Sequence, residues 1–208
     1  MQGPDGAAQL RTGRQALERA DWESARSAYH AALGADGPAD ARDGLAQAQW
    51  FLGRVPEAIA LREQAFADHV QAGRCAEAAR PAVWVAHQHP LGGRGSAARG
   101  WLARAERVMA DVPSCAGHGW VAVERARQAA TVRDQAAAAS RALEVARATG
   151  DADLEVLAIS LLGRAEVRAG RREPGLRLLE EAMAAARNRA EAAAHAVRRR
   201  QPGGLLPG

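Results

Sequence analysis

Apolar and small residues recur along this chain at helical spacing, and in one fixed arrangement. In "DWESARSAYHAAL" (residues 21–33) the small Ala25 is followed four places on by the ring of Tyr29, then three places later by the small Ala32. The same small–bulky–small spacing returns at Ala98, Leu102 and Ala105, at Ala139, Leu143 and Ala146, and at Gly175, Leu179 and Ala182. A weaker copy at Ala58, Arg62 and Ala65 has Arg62 where the bulky apolar residue belongs. Offsets of four and seven share one helical face. Small residues there let a second helix come close, and the bulky one fills the groove between them. Five places before these starts stand Ala20, Gly53, Gly93, Asp134 and Gly170, mostly turn formers. Twelve places before four of them stand Gly13, Ala46, Ala86 and Gly163, each midway along an upstream helical stretch.

The pattern describes a helix hairpin that cannot bury its own apolar face and must stack on the next one. It predicts helices near 7–20, 22–34, 39–52, 55–72, 76–88, 96–110, 119–131, 134–149, 152–169 and 172–195. Loops are expected at "GADGP", "HPLGGRG", "DVPSCAGHG" and the final "QPGGLLPG". The arrangement resembles the tetratricopeptide repeat across roughly residues 7–186. The first unit keeps Trp22, Ala25, Tyr29, Ala32 and Pro38; the fifth keeps Leu162, Gly163, Gly170, Leu179 and Ala182. The resemblance implies an all-α, right-handed superhelical solenoid of about five hairpins, with the first helix of each lining an inner curve. Pro81 departs from the pattern. It either opens its helix or kinks it.

Longer segments are similar to a narrower group. "DWESARSAYHAAL", "EAIALREQAFADHVQAG", "VWVAHQH", "GWLARAERVM" with "GHGWVAV", and "GDADLEVLAISLLGRAEVRAGRREPGLRLLEEAMAAA" occur in that order. They look like the amino-terminal repeat region of bacterial LuxR-type transcriptional regulators. Those proteins carry a helical-repeat region followed by a small DNA-binding helix-turn-helix. The resemblance stops near Arg187, where the family would continue. The expected organisation is a disordered stretch at 1–6, a repeat domain at 7–186, and a basic tail at 187–208 that is foreign to the family and disordered at its end. A truncated or frameshifted product is the expectation drawn from that change.

Composition agrees with helices. The chain has 208 residues, of which 53 are Ala, the residue with the highest helix propensity. All 28 basic residues are Arg, and Asn188 is the only Asn. Repeat proteins that clamp the carboxylate end of heat-shock chaperones use Lys and Asn on their inner helices, so that role is not expected. Residues 187–208 hold five Arg and one Glu, which accounts for the whole net charge of +4. The body is neutral and offers no basic field for phosphates. DNA binding by this chain itself is therefore not expected; the resemblance places it in an absent carboxy-terminal domain. No stretch approaches the ~20 apolar residues of a membrane span, and "MQGPDGAAQL" does not read as a signal peptide. Two lone thiols, Cys75 and Cys115, fit a reducing compartment. A cytoplasmic location follows as the expectation.

Candidate chemistry is sparse. His87 with His89, and Cys115 with His118, are the only pairs at close spacing, and a zinc site needs three or four converging ligands. The sequence has no G-x-S-x-G, no phosphate loop and no dinucleotide fingerprint. Neither an enzyme, a metal nor a cofactor is expected; a small hydrolase using the His or Cys pairs is the weakest alternative. The five Trp are more informative. Trp22 and Trp101 read as wedges between hairpins. Trp50 and Trp84 fall on first helices, as do Gln47, His87, Glu124, Arg127, Arg164 and Arg168. These eight residues are the candidate groove, its occupant a protein, a peptide or a small effector. The expected function is a non-catalytic interaction and regulatory module of a LuxR-type regulator, with a free-standing adaptor as the alternative.

Overall fold

The computed structural model describes residues 4–33, 38–91 and 93–200. These form ten α-helices: α1 Pro4–Glu18, α2 Trp22–Leu33, α3 Ala39–Phe51, α4 Val55–Gln71, α5 Cys75–Leu91, α6 Gly95–Met109, α7 Ala116–Gln128, α8 Val132–Thr149, α9 Ala152–Arg168 and α10 Arg172–Arg200. Each helix packs against its sequence neighbours, so the described residues form a stack of five hairpins, α1/α2 to α9/α10. Among the inner helices, α5 packs on α7 and α7 on α9. The backbones of α3 and α5 make few close contacts, and Trp50 of α3 meets Trp84 of α5 between them.

The turn formers act through backbone geometry. Ala20, Gly53, Gly73, Gly93, Gly150 and Gly170 all have left-handed φ, between 57° and 84°. After each, the next amide reaches back five residues: Arg54 N–H donates to the Gln49 carbonyl at 2.9 Å, and Arg171 N–H to the Glu166 carbonyl at 3.0 Å. This closes the helix end and turns the chain sharply. Asp134 differs from the expectation. It lies in the first turn of α8, where its amide donates to Thr131 Oγ1 at 3.1 Å and its carboxylate accepts from the same hydroxyl at 2.7 Å. A side-chain cap thus starts this helix, and the residue needs no turn conformation.

Several boundaries also shift. α1 begins at Pro4, because proline suits a first turn. Pro81 lies inside α5, fully buried, so it does not open that helix. α5 runs on to Leu91, which makes His89 helical instead of part of a loop. α7 starts at Ala116, earlier than expected, because Cys115 and His118 form its capping box. α10 continues to Arg200, through most of the expected tail. Residues 1–3, the GADG of "GADGP" and the final "QPGGLLPG" lie outside the described residues.

Packing explains the recurring triad. Tyr29 is buried, with its ring pressed between α1 and α3. A Cβ placed on Gly13 would stand 2.8 Å from that ring, and one on Gly44 2.3 Å. Gly13 is the small residue twelve places upstream of the triad. At the fifth hairpin, Gly163 and Gly175 meet back to back; a Cβ on either would come within 2.9 Å of the other's carbonyl oxygen. The apolar core divides into three clusters: one across α1–α3, one across α4–α7 and one across α7–α9. The first break falls where Arg62 stands in the triad. Trp101 packs edge-on against Phe66 of the neighbouring hairpin at 5.3 Å, and Trp22 stacks on Phe51 at 4.0 Å. Both bridge adjacent hairpins.

Candidate binding groove

The inner faces of α3, α5 and α7 enclose a cleft of about 240 Å³. Gln47, Trp50, Trp84, His87 and Arg127, five of the eight residues expected there, line it together. The other three do not. Glu124 lies beneath, 1 % exposed. Arg168 donates to Gln135 Oε1 of α8 at 2.8 Å and so belongs to the α8/α9 packing. Arg164 is exposed on α9 and does not line the cleft.

Sequence reasoning missed the groups that complete this cleft: Arg62, Asp43, Arg80 and Trp120. Arg62 extends from α4, 4 % exposed. Its guanidinium meets Asp43 Oδ1 at 2.9 Å and lies 4.2 Å from the centre of the Trp84 ring. Burial works against its charge, and Asp43 supports it. Trp84 meets Trp50 edge-to-face at 5.0 Å. One guanidinium, held by one carboxylate, therefore supports the aromatic floor; such a desolvated cation–π contact is worth up to about 2 kcal/mol. The signal was visible in the sequence as the one triad with Arg at its centre.

Glu124 organises the far wall. It accepts from Gln128 Nε2 at 2.9 Å and pairs with Arg127 at 3.4 Å, and His87 Nδ1 stands 3.6 Å away. Burial raises its pKa, against the pull of Gln128 and Arg127. Burial, then the charge of Arg127, lowers that of His87. Glu124 thus orients Arg127 toward the cleft.

A second cleft of about 390 Å³ adjoins the first over the amino-terminal ends of the same helices, and the two share Asp43, Arg80 and Trp120. Asp40, Glu77 and Asp151 line this lobe. Trp120 Nε1 donates to Asp151 Oδ2 at 3.1 Å, and Arg80 lies 5.6 Å from the Trp120 ring. Cys115 borders the lobe with its Sγ 3.8 Å from His118 Nδ1. That pair caps α7. The two histidines of "AHQHP" part company, His87 facing the cleft and His89 buried.

No protein-family model matches the chain, and no curated protein matches it in sequence. Solved structures do match in fold. BtubC (BKLC) of P. vanneervenii superposes with a TM-score of 0.63 at 17 % identity, over 98 % of this chain and 86 % of that one. TTC0263, a thermophilic tetratricopeptide-repeat protein of Thermus thermophilus, gives 0.60 at 20 % identity, over 90 % and 98 %. MamA of Desulfovibrio magneticus gives 0.55 at 13 % identity, over 90 % and 98 %. The fold is thus the all-α superhelical solenoid of tetratricopeptide-like hairpins. Among the described residues, no helix is long and apolar enough to cross a membrane.

Proposed function

We propose that this chain is a non-catalytic interaction module that holds a peptide segment of a protein partner in the groove of α3, α5 and α7. The observation that carries this reading is the convergence of Trp50, Trp84 and Trp120 with Arg62, Arg80 and Arg127 in one concave site. Mixed aromatic and guanidinium linings on rigid helices suit recognition. The buried carboxylate, Glu124, is taken up by Gln128 and Arg127, which suits positioning more than proton transfer. A small effector would use the same site. The test is a displayed library of short peptides selected on the wild-type chain and re-screened on Trp84→Ala and on the outer-surface variant Arg26→Ala. Selected peptides should lose binding to the first and keep it to the second. Equal binding to both variants removes the reading.

The wider setting proposed is the input region of a LuxR-type regulator, in which an occupant alters packing between hairpins and an attached domain responds. Its support is the ordered set of similar segments from "DWESARSAYHAAL" to "LLEEAMAAA". Reading the genomic DNA beyond the codon for Ala186 in all frames tests it: a helix-turn-helix supports the setting, and its absence leaves the adaptor reading.

A further inference from the structure

The two lobes of the groove carry opposite charge, for a reason that lies in the helices. Acidic residues favour helix amino-termini and basic residues carboxy-termini, because each complements the macrodipole. In this stack the first helices run parallel. Their acids therefore gather at one end of the groove, and their guanidiniums at the middle and the other end. Asp40 stands in the first turn of α3, Glu77 in the first turn of α5, and Asp151 caps α9. Arg127 stands in the last turn of α7. The lobes join at Arg80 and Trp120, so the continuous cleft follows α5.

Two observations point to an occupant. Among the described residues, neither Glu77 nor Arg80 has an ion-pair partner, although both line the groove and are exposed. Arg62 Nε and His69 Nδ1 have no hydrogen-bond partner, in side chains that are 5 % and 4 % exposed, and each residue lines one lobe. An acid without an ion pair thus stands at one end of the groove and a base without one at its middle, and buried polar atoms remain unmatched in its wall.

Resting on the groove reading above, we propose that the occupant is a two-ended peptide: a basic side chain in the Asp40/Glu77 lobe, a flat apolar side chain over the junction at Arg80, Trp84 and Trp120, and an acidic one on Arg127 at the far end. Glu77 and His87 lie ten residues apart on α5, about 15 Å along its axis. Four residues of extended chain cover about 13–14 Å. Positions i, i+2 and i+4 of such a segment share one face. The matching order is base, any residue, aromatic, any residue, acid, read in either chain direction.

The probe is the blocked heptapeptide acetyl-Ala-Arg-Ala-Phe-Ala-Glu-Ala-amide. Its companions carry two Glu or two Arg at the charged positions. Isothermal titration with the full chain should give the mixed probe at least tenfold tighter binding than either companion. Glu77→Gln and Arg80→Gln, both at exposed positions and checked for helicity by circular dichroism, should each weaken the mixed probe at least threefold. Glu77→Gln should also improve the two-Glu probe. Equal binding of all three peptides overturns the proposal, as does indifference of the mixed probe to both substitutions. If the two-Glu probe binds tightest and loses binding in Trp84→Ala, the groove reading survives and the two-ended occupant does not. If no probe binds, the two-ended occupant fails, and the groove reading then falls or stands with the peptide library.

Discussion

Tyr29 and Arg62 occupy the same station in consecutive hairpins, and the two joints they build behave differently. At the first, a ring fills a slot cut by Gly13 and Gly44, inside an apolar cluster with Ala16, Ala25 and Leu45. At the second, a guanidinium replaces the ring, Asp43 compensates it, and the indole of Trp84 covers it. The first joint is dry and fitted to one shape. The second holds α3 and α5 apart and leaves the cleft between them. One fold thus uses the same position for cohesion in one place and for presenting chemistry in the next. Charge at a core station costs stability, and here Asp43 and the Trp84 ring offset part of that cost.

The largest break in this comparison is Tyr29→Ala, which should cost about 3–5 kcal/mol by emptying the slot. Gly44→Ala should cost about 1–3 kcal/mol through overpacking against the same ring. Combined with Tyr29→Leu, its cost should shrink, because the ring it collides with is gone; urea denaturation of the four chains measures this coupling. Arg62→Leu should be milder, about 1–2 kcal/mol, because Asp43 is already 26 % exposed beside its partner and water can take over part of its solvation. Adding Asp43→Asn should recover most of that loss, while peptide binding stays impaired because the support under Trp84 is missing.

The joints should also differ in acid. His69, His87 and His89, all on α4 and α5, have pKa values lowered chiefly by burial. Above their ordinary value near 6.5 they are neutral in both folded and unfolded chains, and nothing is lost. As pH falls below it, the unfolded chain takes up protons that the folded one resists, and stability declines. Glu124, with its raised pKa, works in the opposite direction as pH falls. The loss of stability between pH 7.5 and 5.5 should therefore be smaller in His69→Gln/His89→Gln than in wild type, since Glu124 acts equally in both. The smallest effect is expected at the turn of the first hairpin. Ala20 has φ 57°, and Ala20→Gly should stabilise by about 0.5–1 kcal/mol in the same denaturation assay, by removing a strained Cβ.

Much of this was legible in the chain. The triads marked the second helices, and the left-handed turns fell at four of the five small or turn-forming positions ahead of them. Five of eight groove candidates converged because position on a first helix decides which way a side chain faces. Glu124 was misplaced because it lies on the buried side of α7, and Arg168 because α8 offered it a partner, Gln135. Arg62, the departure from the triad, lies against the Trp84 ring in the cleft, a placement set by Asp43 on another helix.

Sequence alone determined the helices, their hairpin pairing and the solenoid, because these follow from local propensity, turn chemistry and a spacing that neighbouring units share. Only tertiary structure decided what the groove contains. Which guanidinium lies under which indole, and which carboxylates face the cleft, depends on contacts between residues far apart in the chain. Those contacts follow no period that a single sequence displays.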